Sequence, residues 1–215
     1  EEKIKTKKDD ISRISGLTLN EAIKERAFYI LSFGWFGMAM LITTLHFYQV
    51  TILLLKGISA EFAAQMFTVS AISMVLFMPV IGKMFDRFRT RYVIAMGMVI
   101  TTLALLLITF VSSEEEVVFY AIVFGVNNAV SMTMFGYIWP RYFGRKHVGS
   151  IQGVGQMIGV FGASFGPLPV GLAIDFLGSP ISTLRWLSIY PLVAGILAIF
   201  FLKAPKSLEE DKHLE

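Results

Sequence analysis

Six long apolar runs constrain the fold of this chain more than any other feature of its sequence. The runs cover Ala27–Leu55, Ala60–Ile81, Tyr92–Val111, Val117–Trp139, Gly149–Ile174 and Trp186–Leu202. Each has, or nearly has, the roughly 20 residues that a helix needs to cross the hydrocarbon core of a bilayer. The only Asp, Glu, Lys or Arg inside them is Glu61, on the first turn of the second run. The sequence therefore predicts an all-α integral membrane protein with six transmembrane helices, named the first to sixth spans below.

The composition excludes several other classes of protein. Hydrophobic residues make up 55% of the chain and charged residues only 16%, whereas a soluble domain has about 25% charged residues. Such a chain is neither a soluble enzyme nor a disordered or fibrous protein. Because it contains no Cys, disulfides and thiolate metal sites are excluded, and we predict neither a metal site nor a cofactor.

The cationic residues are divided unequally between the two sides of the membrane. Successive connecting segments lie on alternate sides, and Lys56 and Arg185 are the only cations that fall on one of them. The other 17 of the 19 Lys and Arg residues (19 − 2) fall on the opposite side. Since Lys and Arg mark the cytoplasmic loops, the sequence predicts a multi-pass protein of the cell (inner) membrane with both termini cytoplasmic. Because these cations lie beside helix ends, membrane topology accounts for them, and the net charge of +3 does not require a surface for nucleic acid. Membrane lipid is therefore an expected partner and nucleic acid is not.

Two charged segments flank the predicted membrane unit, which covers residues 27–202. Residues 1–26 form a cytoplasmic leader, and residues 203–215 form a cytoplasmic tail. Within the leader, Thr18 and Glu21 have the spacing of a capping box. We therefore expect a short amphipathic surface helix over Leu17–Arg26.

The second and fifth spans end with the same spacing of residues. Gly82 and Asp86 end the second, and Gly171 and Asp175 end the fifth, so that 171 − 82 and 175 − 86 both equal 89. Three crossings reverse the direction of the chain, and two three-helix units would therefore have opposite orientation in the membrane. Inverted repeats of this kind are typical of secondary transporters. The predicted repeats cover about 27–111 and 117–202.

The loop after the second span carries a recognisable motif. It reads Gly82-Lys-Met-Phe-Asp86-Arg87-Phe-Arg89-Thr-Arg91, which resembles the Gly-x-x-x-Asp-Arg-x-x-x-Arg loop of the major facilitator superfamily. The resemblance implies that Gly82, Asp86, Arg87 and Arg91 help to latch the cytoplasmic side closed. Physically, Asp86 suits the N-terminus of a neighbouring helix, Gly82 permits close backbone approach, and the arginines can pair with acidic groups. The alternative is that these charges only anchor the topology.

Two further segments resemble one branch of that superfamily. The segments 19–28 and 141–150 are similar to those of bacterial monocarboxylate porters and oxalate/formate antiporters. The resemblance implies that the six spans are helices seven to twelve of a twelve-helix transporter, with an N-terminal six-helix half as partner. It further implies transport of a small-molecule substrate, a small organic anion, by alternating access. The alternative from another class is a non-transporting six-helix scaffold or sensor that acts as a homodimer.

Polar residues inside the spans are the candidates for substrate contact. Asn127 and Asn128 lie near the centre of the fourth span and point about 100° apart on a helix, so we expect one to face a cavity and the other to join helices. His46 and Tyr48 lie in the outer third of the first span. His46 is either a proton carrier, since its pKa is easily moved, or a neutral hydrogen-bonding residue. Tyr48 has an alternative role as an interfacial aromatic.

The fifth span has the most unusual composition. Gln156 is its candidate substrate residue, and Gly162 and Gly166 belong to a series of glycines spaced for close helix packing. Pro167 and Pro169 interrupt backbone hydrogen bonding near its outer end. The pattern predicts either a tightly packed, kinked helix or a helix that bends during transport, and both can hold together.

Two further patterns limit the function. Oxalate-type antiporters are expected to carry basic residues in helices eight and eleven, where this chain has Thr68, Ser70, Ser73 and Gln156. That departure disfavours oxalate and leaves a monocarboxylate or another small solute, with protons as a candidate coupling ion. A formal Gly-x-Ser-x-Gly match surrounds Ser164, but a hydrolase elbow needs a strand-to-helix turn that an apolar span does not supply. We therefore predict that the protein is not an enzyme.

Overall fold

The computed structural model describes residues 15–205, which form a short leader helix, Leu19–Ala22, and six helical spans. The spans cover Arg26–Leu55, Ala60–Arg87, Thr90–Phe110, Glu114–Phe143, Val148–Leu177 and Ile181–Phe201. The fifth is built from two helices, Val148–Phe165 and Pro167–Leu177, and the sixth from Ile181–Leu187 and Ile189–Phe201. All six are long and apolar enough to cross a membrane, which confirms the predicted all-α membrane fold.

Several spans continue beyond the apolar runs because their ends are capped or packed. The second runs on to Arg87, and the additional turn buries Phe85. The fourth begins at Glu114, where the Ser113 hydroxyl accepts a hydrogen bond from the Glu116 amide. Three glutamates in that first turn suit the positive end of the helix dipole. Hydrophobicity alone therefore underestimates the length of these helices.

Six crossings bring both ends of the described chain to the same side of the bundle. We name this side the terminal face, and it also carries the connections at 88–89 and 144–147. The other side, named the far face, carries the connections at 56–59, 111–113 and 178–180. The predicted leader (1–26) and tail (203–215) include residues 1–14 and 206–215, which lie outside the described residues.

The packing of the spans follows the two-unit organisation. The most extensive contacts join the second span to the fourth, the first to the fifth, and the third to the sixth. Exchanging the two three-helix units turns the pair of the second and fourth spans into the pair of the fifth and first spans. The pair of the third and sixth spans is left unchanged. A two-fold relation between inverted repeats requires this pattern.

Individual residues repeat the same relation. A Cβ at Gly162 in the fifth span would collide with the backbone carbonyl of Phe36 in the first. A Cβ at Gly125 in the fourth span would collide with Ser73 in the second. Both pairs are related by the offset of 89 (125 − 36 and 162 − 73). The two crossings are therefore the same contact made twice, which supports the inverted repeat with residues that the end motifs do not include.

Burial differs strongly among the spans. The third and fourth spans bury 61% of their most apolar windows inside the bundle, whereas the second and fifth bury only 22% and 28%. The second and fifth spans thus present most of their surface to whatever surrounds this unit. Because they are equivalent in the repeat, their exposure is a shared property of the two units.

The leader is held against the loop between the fourth and fifth spans. The Leu17 amide donates to the Phe143 carbonyl at 2.8 Å, and the Arg145 amide donates to the Ser15 carbonyl at 3.1 Å. These two bonds flank an isolated antiparallel bridge between Gly16 and Gly144. Gly144 has a φ of 78°, and a Cβ there would lie 2.5 Å from Gly16 Cα, so glycine is needed at this position.

The leader helix is shorter than the predicted Leu17–Arg26. It covers only Leu19–Ala22, and Glu25 adopts an extended conformation with φ −83° and ψ 138° at the start of the first span. The Glu21 carboxylate accepts hydrogen bonds from the Thr18 amide and hydroxyl, both at 2.8 Å, as the predicted capping box requires for its acidic member. A change of direction at Glu25 therefore replaces the continuous helix that the polarity pattern predicted.

Candidate functional site

His46 lies on the first span between aromatic rings from two other spans. Its ring centroid is 4.7 Å from that of Phe124 in the fourth span and 6.1 Å from that of Phe67 in the second. Its Nδ1 atom lies 2.9 Å from the Ile42 carbonyl oxygen. A carbonyl can only accept, so Nδ1 carries the proton and Nε2 of the neutral ring is left as an acceptor. The side chain is exposed, and this acceptor is therefore accessible.

The two adjacent asparagines occupy different environments. Asn127 is fully buried, and its Oδ1 accepts a hydrogen bond from the Thr101 hydroxyl of the third span at 2.8 Å. Its Nδ2 is buried without a partner. Asn128 is 8% exposed and donates from Nδ2 to the Phe124 carbonyl at 2.9 Å. Asn127 therefore joins two helices, whereas Asn128 lies one turn from the ring that contacts His46.

Gln49 closes this region toward the far face, although sequence reasoning gave it no role. It is fully buried, and its Oε1 accepts a hydrogen bond from the Tyr120 hydroxyl at 3.1 Å. Its Nε2 donates to the Ala63 carbonyl at 3.3 Å. The residue thus connects the first, second and fourth spans one turn beyond His46. An amide inside an apolar run, three residues after a histidine, was the signal for it.

We name His46, Phe67, Phe124 and Asn128 the His46 cluster. The other predicted substrate residues, Tyr48 and Gln156, do not belong to it. Tyr48 is half-buried and directed toward the fifth span, where its hydroxyl lies 2.7 Å from the position that a Cβ at Gly171 would occupy. Gln156 is exposed on the half of the fifth span nearer the terminal face, whereas His46 lies in the part of the first span nearer the far face. The structure therefore brings together His46 and Asn128 but separates Tyr48 and Gln156 from them.

The fifth span is interrupted at Gly166. Pro167 begins the second of its two helices, and its ring nitrogen has no proton to donate to the preceding turn. The Ala163 carbonyl, which Pro167 cannot serve, accepts a hydrogen bond from the Gly166 amide at 3.1 Å, and the Gly166 carbonyl accepts one from the Thr44 hydroxyl at 2.6 Å. Gly162 and Gly166 both lie against backbone carbonyls of the first span, while Pro169 falls within the second helix. The interruption is thus present and satisfied, and bending at it remains a prediction.

The predicted latch residues meet a tyrosine of the fourth span. The Tyr137 hydroxyl faces the Asp86 carboxylate, and it lies 4.0 Å from the position of a Cβ at Gly82. Its ring stacks on Phe85 with centroids 5.1 Å apart. The carboxylate is therefore matched with a hydroxyl donor from the other three-helix unit.

Arg141 holds the same loop, and sequence reasoning placed it only among the cations that set the topology. Its Nη1 donates to the Phe85 carbonyl and to the Thr90 hydroxyl, the latter at 2.9 Å. A cation at the carbonyl end of a helix is favoured by the helix dipole. Arg141 thereby connects the end of the second span with the start of the third. The signal for Arg141 in the sequence was a cation that follows directly after the uncharged run Val117–Trp139, in the last turn of the fourth span.

The predicted pairing of Arg87 and Arg91 with acidic groups is not seen among residues 15–205. Arg87 is exposed. The Arg91 guanidinium lies over the Tyr92 ring, 5.0 Å from its centroid, and its Nε is buried without a partner. The acidic groups expected on neighbouring helices are replaced at this loop by carbonyl, hydroxyl and aromatic groups.

The two cations of the far face converge on the end of the third span. Lys56 Nζ donates to the Thr109 and Val111 carbonyls at 2.9 and 3.0 Å. Arg185 Nε donates to the Thr109 hydroxyl at 3.4 Å. Burial lowers the pKa of the Lys56 ammonium and the nearby Arg185 lowers it further, while Glu116 opposes both. Both cations thus form hydrogen bonds at the end of the third span rather than in the His46 cluster.

Comparison with known proteins assigns the membrane unit to a described family. The family model for the Major Facilitator Superfamily matches residues 27–214, which include nearly all of the six spans. The match begins where the first apolar run begins. No curated protein matches the sequence of the chain.

Proposed function

The chain belongs to the major facilitator superfamily, and on this premise we propose that it transports a small organic anion of the monocarboxylate type by alternating access. The six membrane spans and the family together make it a membrane transporter. The observation that carries the choice of substrate is the accessible Nε2 of His46 between the rings of Phe67 and Phe124.

The chemistry of this cluster suits a short acid. No Lys or Arg lies inside the apolar runs, so this unit offers a carboxylate no permanent cation. A neutral His46 can instead accept the proton of a carboxylic acid, or the protonated ring can bind the carboxylate. Two aromatic rings provide an apolar surface for a short carbon chain, and Asn128 lies one turn away as a polar neighbour. Protons are therefore the coupling ion that we propose.

The remaining parts of the proposal concern the partner and the orientation. The exposed second and fifth spans offer their surface to an N-terminal six-helix half, against which this unit would rock. The 17-to-2 distribution of cations supports a cytoplasmic terminal face and a location in the inner membrane of the cell. The similarity of the segments 19–28 and 141–150 favours the monocarboxylate branch.

Uptake into proteoliposomes tests the proposal. The complete transporter is reconstituted and supplied with acetate, propionate, lactate or oxalate, with and without an inwardly directed proton gradient. We expect the three monocarboxylates to enter faster with the gradient, and oxalate to enter no faster than in empty liposomes. Uptake of oxalate alone would overturn the substrate class. A stable homodimer of the chain that takes up none of the four acids would favour the scaffold alternative instead.

A further inference from the structure

Two tyrosines follow the repeat as closely as the end motifs do. Tyr48 and Tyr137 are separated by the same offset as Gly82 and Gly171 (137 − 48 and 171 − 82 both equal 89). Each tyrosine lies on the first span of one unit, and its hydroxyl lies against the glycine of the other unit. One contact is at the terminal face and the other at the far face. The two contacts are therefore related by the two-fold axis.

Each glycine is followed, four residues later, by an aspartate that shares the offset. At the terminal face the Tyr137 hydroxyl faces the Asp86 carboxylate. At the far face Asp175 is exposed, and the Tyr48 hydroxyl lies over Gly171, without a hydrogen bond to any residue of the range 15–205. The tyrosine hydroxyl and the carboxylate thus face each other at the terminal face, whereas the equivalent hydroxyl at the far face has no hydrogen bond to a described residue.

The far-face aspartate lies beyond the interruption of the fifth span. Asp175 is on Pro167–Leu177, which is separated from the rest of the fifth span at Gly166. The engaged Asp86 is on the second span, which is continuous over Ala60–Arg87. Side chains of a helix tilt toward its N-terminus, so the Asp175 carboxylate points back toward the level of Gly171, where the Tyr48 hydroxyl lies.

The cations of the far face leave Asp175 without competition. Lys56 is engaged by two carbonyls at the end of the third span, and Arg185 by the Thr109 hydroxyl and the Phe110 ring. An exposed carboxylate at this helix end therefore lacks a charged partner in the described part of the chain. A tyrosine hydroxyl donates readily to a carboxylate, and such charge-assisted bonds are stronger than those between neutral groups.

We propose that Tyr48 and Asp175 form a hydroxyl–carboxylate latch at the far face, which closes when the Tyr137–Asp86 contact at the terminal face opens. The inference rests on the proposed alternating access but not on the identity of the substrate. It assigns Tyr48 a conformational role in place of the substrate contact that its sequence position predicted.

Distance measurements between spin labels test this latch. The chain has no native Cys, so cysteines introduced at the exposed Thr51 and Leu177 carry the only labels within this chain, and any Cys of the partner half is replaced by Ser. Double electron–electron resonance on the complete transporter in nanodiscs then reports the separation of the first and fifth spans at the far face. We expect Tyr48→Phe and Asp175→Asn each to reduce the ratio of short to long distances about tenfold, as loss of one hydrogen bond to a charged group would.

The proposal also fixes how the variants combine. The double variant should show no change beyond that of either single variant, because both remove the same bond. Tyr137→Phe should raise the same ratio, and Tyr92→Phe, on the exposed side of the third span, should leave it unchanged. Independent, additive effects of Tyr48→Phe and Asp175→Asn, or no effect of either, would overturn the latch. Because no substrate is added, failure of the uptake experiment leaves this result readable.

Discussion

The second and fifth spans are equivalents in the repeat, yet only the fifth is broken. Both are poorly buried, and both contain proline toward their ends, Pro79 in the second and Pro167 in the fifth. The second remains one helix through its proline. In the fifth, Gly166 precedes the proline, and the Thr44 hydroxyl satisfies its carbonyl. The difference shows that a proline interrupts a span where a glycine and an external donor accompany it.

The same comparison separates two roles. The second span contributes Phe67 to the His46 cluster, whereas the fifth contributes no residue to that cluster. The fifth instead carries glycines packed on the backbone of the first span and the short helix that bears Asp175. We therefore expect substitutions beside the second span to alter recognition, and substitutions in the fifth to alter packing and movement.

The largest effect is expected where the fifth span touches backbone. Gly162→Ala should destabilise the protein by about 2 kcal/mol, because the new Cβ collides with the Phe36 carbonyl and overpacking has this cost. Gly153→Ala is the matched control on the same span, since nothing lies within 4 Å of its Cβ position. Thermal unfolding in detergent measures both. Equal midpoints for the two variants would show that the close crossing is absent.

The next effect concerns the break itself. Pro167→Ala restores a backbone donor and should favour a continuous fifth span, so that transport slows about tenfold, which corresponds to about 1.4 kcal/mol in the barrier. Pro79→Ala, in the unbroken second span, should change the rate much less. Initial rates of proteoliposome uptake, with thermal midpoints as a check on folding, give the comparison. A faster Pro167→Ala variant would contradict a hinge at this position.

A smaller effect should separate recognition from packing at the centre of the fourth span. Asn128→Ala should raise the KM for uptake severalfold, since Asn128 lies beside the His46 cluster. Asn127→Ala should leave KM unchanged but lower stability by about 1 kcal/mol, the typical worth of its bond to Thr101. Uptake kinetics and unfolding midpoints of the two variants decide the matter. If instead Asn127→Ala raised KM and Asn128→Ala lowered only the stability, the substrate would bind nearer the third span.

His46 itself is tested through the dependence of uptake on pH. His46→Gln should flatten this dependence and remove most of the stimulation by a proton gradient, because a Gln side chain cannot take up a proton. His147→Gln, in the connection at 144–147, serves as the control. An unshifted pH profile for His46→Gln would return the residue to a purely structural role.

The smallest effect is expected at the leader, which packs against the fifth span. Hydrogen bonds from the Thr18 amide and hydroxyl lower the pKa of Glu21 below its usual value of 4.5. The carboxylate therefore stabilises the leader helix fully above pH 4.5, and this contribution is lost as the pH falls through the lowered pKa. The protection factors of amides 18–22, which compare the measured exchange with the intrinsic rate at each pH, should fall over that range in the native chain. In Glu21→Gln the exchange should show no such step.

Sequence and structure agree where the signal is local. Hydropathy located all six spans, because each span is defined by consecutive residues, and the repeat was predicted from two local Gly–Asp pairs, 82/86 and 171/175, that share one offset. The partners of single side chains depend on how each helix is rotated against its neighbours. For that reason the division between Asn127 and Asn128 needed coordinates, as did the contact of Arg141 with Phe85.

The candidate site was predicted only in part for the same reason. His46 and Asn128 are near each other, but Gln156 lies at another depth and Tyr48 faces another span. The expected partners of Arg87 and Arg91 followed from charge alone, which does not reveal that carbonyls and rings occupy the loop. The offset between Tyr48 and Tyr137 was present in the sequence, yet only the contacts with the two glycines give it meaning.

The pairing of Gly16 with Gly144 has a mechanical consequence. It fastens the chain that leads into the first span to the segment that leads into the fifth, through two backbone hydrogen bonds that depend on no side chain. Tension applied upstream of Ser15 is therefore transmitted to the base of the broken span without passing along the first. The bridge between Gly16 and Gly144 therefore couples the leader directly to the start of the fifth span.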